Sequence, residues 1–61
     1  MTFYEAKKLL PKWAKGLAEH AVTVVALRDA VMQEIEAYNA GNNPMTFKQK
    51  DALLKFLDRT A

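Results

Sequence analysis

This 61-residue chain has one histidine, no cysteine, and nine Lys+Arg against seven Asp+Glu, a thin set from which to build a reactive site. His20 falls at helical spacing among Gly16, Leu17, Thr23 and Val24, with no partner that would turn it into a base, so it reads as a structural residue rather than a pH sensor or catalyst. Glu34 and Glu36 would project about 200° apart on a helix and cannot share a site. No glycine-rich loop precedes a helix, and no His or carboxylate pair has metal-ligand spacing. The expectation is a protein that is not an enzyme, with no catalytic, cofactor-binding or metal-ligating residue and no cofactor.

Charge carries more information. Residues 1–15 hold Lys7, Lys8, Lys12 and Lys15 against Glu5, a net +3. From Glu19 to Glu36 the balance is −3, with Glu19, Asp29, Glu34 and Glu36 against Arg28. The C-terminal stretch, with Lys48, Lys50, Lys55 and Arg59 against Asp51 and Asp58, returns to +2. Lys7, Lys8, Lys12 and Lys15, near Tyr4 and Trp13, are candidate phosphate contacts, since a basic stripe with aromatics is the footprint of nucleic-acid binding. A whole-chain charge of only +2 keeps nucleic acid as the alternative partner. Leu17-Ala18-Glu19-His20-Ala21-Val22-Thr23 faintly echoes a helix-turn-helix core, but Val22 resists the positive φ such a turn uses, and the apolar pattern passes through it.

The elements that position these residues read as helices. The expected class is all-α, one single domain over residues 1–61. From Leu10 an apolar seam repeats at spacings of four and three: Leu10, Ala14, Leu17, Ala21, Val24, Arg28, Val31, Ile35, Tyr38. Ala18, Val25 and Met32 widen it on one side, with Trp13 and Leu27 on the other. Heptad periodicity of this length predicts one helix from about Phe3 to Asn39, opened by a Thr2/Glu5 capping box. Pro11 should kink rather than break it, because Leu9-Leu10-Pro11-Lys12-Trp13 lacks turn residues. Val22-Thr23-Val24-Val25 suits a strand by propensity but is overruled by the pattern. Ala40-Gly41-Asn42-Asn43-Pro44 is the single loop, with Gly41 at positive φ. A second capping box at Thr46 and Gln49 starts a short helix ending near Asp58. Its apolar residues, Phe47, Ala52, Leu53, Leu54, Phe56 and Leu57, occupy more than half its circumference, so it should cover two surfaces.

This helical hairpin implies association. A helix from Phe3 to Asn39 would be about 55 Å long, whereas a compact chain of this size has a radius of gyration near 10.5 Å. The short helix would leave Leu10, Trp13, Ala14, Leu17 and Ala21 bare. With Val24, and with Phe56 on the surplus face of the last helix, they form the expected dimer or partner interface of a homodimeric bundle. Folding the first segment back at Pro11, to make a monomeric three-helix bundle, is the rival. Arg28, the one charge on the seam, has no carboxylate three or four residues away and should pair with Asp58 across the hairpin, or with an acid of another subunit.

No stretch approaches about 18 apolar residues and no apolar signal region opens the chain, so a soluble cytoplasmic protein without membrane contact is expected. The acidic middle of the long helix argues against a membrane-surface helix. The size, the lack of cysteine and the stretch TFYEAKKLLPKWAKGLAEHAV (Thr2–Val22) resemble the short accessory proteins of temperate, lambdoid-type phages. That resemblance implies a regulatory protein acting through contacts with a host or phage protein, and it carries over no site residues.

Overall fold

The computed structural model describes all 61 residues and is entirely helical. Helix α1 spans Phe3–Leu9, a 3-10 helix spans Lys12–Ala18, α2 spans Val24–Asn39 and α3 spans Phe47–Arg59.

The continuous helix expected from Phe3 to Asn39 is broken twice. Leu10 (φ −65°, ψ 141°) and Pro11 (φ −57°, ψ 149°) are both extended. The ring of Pro11 disfavours helical geometry at the residue before it. Two consecutive extended residues need no glycine or asparagine, so the missing turn chemistry was no argument for continuity. The Pro11 carbonyl then accepts from the Ala14 amide at 2.9 Å and starts the 3-10 helix. The second break runs through Glu19 to Val22 and ends at Thr23 (φ −134°, ψ 161°). Its hydroxyl accepts from the Ala26 amide at 3.0 Å and caps α2. Here the β-branched pair Val22-Thr23 follows its extended preference. The seam therefore does not pass unbroken through Leu17–Thr23. No residue there has positive φ, however, so the turn of a helix-turn-helix is not formed by the usual left-handed residue.

The C-terminal half has the expected boundaries. Gly41 (φ 79°) stops α2. Its amide donates to Tyr38 O at 3.0 Å and that of Asn42 to Ala37 O at 2.8 Å, a Schellman closure. Thr46 and Gln49 form a full reciprocal capping box at the start of α3. At α1 the box is half made: the Thr2 hydroxyl accepts from the Glu5 amide, but Glu5 reaches that hydroxyl and not the Thr2 amide.

One core joins the four segments: Ala6 and Leu10 from the first, Ala14 and Ala18 from the 3-10 helix, Leu27, Val31 and Ile35 from α2, and Leu53 and Phe56 from α3. The chain measures 31 × 19 × 19 Å with a radius of gyration of 10.8 Å. That is the compact value for its length, and the 55 Å rod is absent.

Candidate functional site

The fold spends most of the expected interface on its own core. Leu10, Ala14 and Phe56 are buried within the chain, and Leu17, Ala21 and Val24 pack against them half-covered. The break at Pro11 is the cause. It lets α1 and the 3-10 helix lie on α2, so the strip that a straight rod would bare is covered by its own chain.

Arg28 and Asp58 do not pair. The only ion pair is Lys55 with Asp51, on the surface of α3. Arg28 Nη2 instead donates to the Leu57 carbonyl at 3.4 Å, and its Nε is buried without a partner. The reason is the rotation of α3. Phe47, Asp51, Leu54 and Asp58 lie within about 60° of one another on a helix, so the expected pairing of Asp58 with Arg28 would turn that stripe toward α2. Leu53, Phe56 and Thr60 face inward in its place, which turns the stripe to solvent. Deep burial of a phenyl ring and an isobutyl group outweighs one half-exposed ion pair.

An outward apolar face results. Two contacts fix the antiparallel register of α2 and α3: Arg28 with the Leu57 carbonyl, and Lys50 Nζ with Asn39 Oδ1 at 2.7 Å. Met32 is one turn on from Arg28, and Leu54 lies between Lys50 and Leu57 on the facing edge of α3. The register brings them level. Val25 continues the face along α2 and Phe47 extends it along α3. These four side chains are 78%, 42%, 45% and 74% exposed in the order Val25, Met32, Leu54, Phe47. A shallow depression of about 410 Å³ on the α2 side is lined by Thr23, Val25, Ala26, Arg28, Asp29 and Met32, and no residue of α3 borders it. The surplus apolar circumference of α3 was the sequence signal for such a face; its membership needed the rotation.

The lysines form a second surface. Lys7, Lys8, Lys12 and Lys15 are all exposed. Lys15 Nζ donates to the Lys7 carbonyl at 3.1 Å, placing a cation against the C-terminal end of α1. Lys8 Nζ lies 4.9 Å from the centroid of the Tyr4 ring. Trp13 departs from this group. Residues three apart eclipse in a 3-10 helix, so Lys12 and Lys15 share one edge while Trp13 and Gly16 share another. Trp13 and Gly16 open on a depression of about 330 Å³ that also meets Leu17, Glu34, Asn43 and Met45.

His20 is exposed in the link before α2. No group of three or more His, Cys, Asp or Glu residues could hold a metal ion. No helix is long and apolar enough to cross a membrane. Compared with protein-family models, curated proteins and solved structures, the chain matches none.

Proposed function

We propose that this chain is a small helical interaction protein whose docking surface is the outward face of the α2–α3 hairpin, and that a second copy of itself is one occupant. What supports the reading is the exposure of Val25 and Met32, which share one side of α2, and of Leu54 and Phe47, which share one side of α3. The orphaned Nε of Arg28 beneath the face supports it. A carboxylate of a second copy approaching the other guanidinium nitrogens would offset part of that burial. A standard interface takes about 800 Å² per partner, roughly a fifth of the 4284 Å² this chain exposes. The resemblance to phage accessory proteins supports a regulatory role exercised through contacts with a host or phage protein.

Sedimentation equilibrium from micromolar to hundreds of micromolar tests this reading. The expected result is a mass rising from 6.9 kDa toward twice that value. Leu54→Glu should hold it at the lower value. A constant monomer mass for the unaltered chain removes self-association.

A second reading rests on the exposed cluster of Lys7, Lys8, Lys12 and Lys15 with Tyr4 beside it. It makes the protein a nucleic-acid-binding accessory factor. Titration with duplex DNA and single-stranded RNA at two salt concentrations separates the readings. Four phosphate contacts would give a slope of log K against log salt of about −3 to −4. No binding at low salt removes this second reading.

A further inference from the structure

We propose that the depression between the 3-10 helix and the α2–α3 loop is a binding site for a cationic group on an aliphatic stem, an alkylammonium or alkylguanidinium. It lies on the other side of the hairpin from the face described above, and none of its residues belongs to that face.

The site is built from three elements. Glu34, on α2, is half-buried and has no basic partner anywhere in the chain. Asn43 Nδ2 donates a hydrogen bond to Glu34 Oε2 from the loop side. Oε1 accepts no hydrogen bond from the protein and is left for a donor from outside. Trp13 brings an indole that is about half exposed. Leu17, Pro44 and Met45 supply apolar wall. A carboxylate and an aromatic ring bordering one concavity suit a cation, and apolar wall suits the methylenes that carry it. An anion would meet Glu34, and a purely apolar ligand would bury that carboxylate without replacing its water. The volume of about 330 Å³ accommodates a lysine or arginine side chain and is at the low end for a larger molecule.

Gly16 borders the same space, and a Cβ built there meets nothing within 4 Å. A larger side chain at this position would project into open space rather than clash with the core. It can therefore block the depression while leaving both Glu34 and Trp13 in place.

Trp13 is the only tryptophan, so emission excited selectively from the indole, and not from Tyr4 or Tyr38, reports on this site. The experiment titrates the full chain with n-butylammonium chloride, n-propylguanidinium chloride, or a short acetylated and amidated Gly-Lys-Gly peptide. Sodium chloride at equal ionic strength is the control. A saturable change in Trp13 emission with a cation, absent with sodium, is expected. Glu34→Gln should weaken it about tenfold or more, the loss of one charge-assisted contact. Gly16→Leu should abolish it, with helix content unchanged by circular dichroism. Saturation by the small cations identifies a free amine as a sufficient ligand; saturation by the peptide alone identifies a partner's side chain. No saturable response to any of the three, or a response that Glu34→Gln and Gly16→Leu both leave intact, overturns the proposal.

Discussion

The N-terminal segment and the C-terminal hairpin share one core but are held in it by different means. Residues up to Ala18 contribute Ala6, Leu10, Ala14 and Ala18, so Leu10 is the one large side chain this segment places among the buried residues. The hairpin contributes Leu27, Val31, Ile35, Leu53 and Phe56. Small residues let the backbone of α1 and the 3-10 helix come close to α2, but they remove little apolar area from water. Since stabilisation scales with that area, the hairpin carries most of it and the first segment rides on its surface. The basic cluster and Trp13 thus belong to the more easily opened half, and the apolar face to the better-anchored half.

The hairpin should be most sensitive at Phe56, which is 2% exposed. Phe56→Ala should cost about 3–5 kcal/mol, enough to unfold a chain of this size, as read by urea denaturation. A loss below about 1 kcal/mol would mean that α3 is not docked as described. Leu10→Ala should cost about 2–3 kcal/mol, toward the low end of Leu→Ala losses because the site lies in the looser segment. Amide exchange would sharpen this prediction: α1 and 3-10 amides should lose protection before those of α2 do. Equal loss throughout would make the molecule one uniform unit.

Two smaller effects concern the joints. Thr23→Ala removes the hydroxyl cap of α2 and should cost about 1 kcal/mol. No loss would indicate that α2 extends backward through Val22, restoring the longer helix. Gly41→Ala should also cost about 1 kcal/mol, because alanine is strained at positive φ. A more stable variant would place the end of α2 elsewhere. Smallest of all, Leu54→Ser should leave folding within about 0.5 kcal/mol. The contrast with Phe56, two residues away on the same helix, measures the difference between inward and outward faces.

The same division governs what could be read from sequence. Every seam residue from Leu10 to Tyr38 is buried or half-buried, including Ala14, Leu17 and Ala21. Periodicity identified the inward side of the N-terminal half. It did not reveal whether the backbone was continuous, because two extended residues at Leu10-Pro11 and a short link before Thr23 preserve the facing while breaking the helix. Thr23 also lacks a Glu or Gln three residues on, having Ala26, so its cap left only half a signature. In the C-terminal half the reverse holds. Gly41, Thr46 and Gln49 are local devices and fixed the helix limits, but a helix apolar over more than half its circumference does not declare which part goes inside. Leu53-Phe56 competed with Phe47-Leu54, and tertiary packing decided. That decision separated Arg28 from Asp58 and moved the exposed apolar face to α2–α3. The four lysines were legible from sequence as a solvated set, but the 3-10 geometry that separates Trp13 from them was not.

We propose that two copies of this molecule pair through the α2–α3 face and not through the first segment. Methyl-resolved NMR on dilution from about 500 to 10 micromolar tests it most directly. Dimerisation through this face should give concentration-dependent shifts at the methyls of Val25, Met32 and Leu54, with those of Leu10, Ala14 and Ala18 unmoved. Shifts confined to Leu10, Ala14 and Leu17, or a spectrum that does not change over this range, would contradict it.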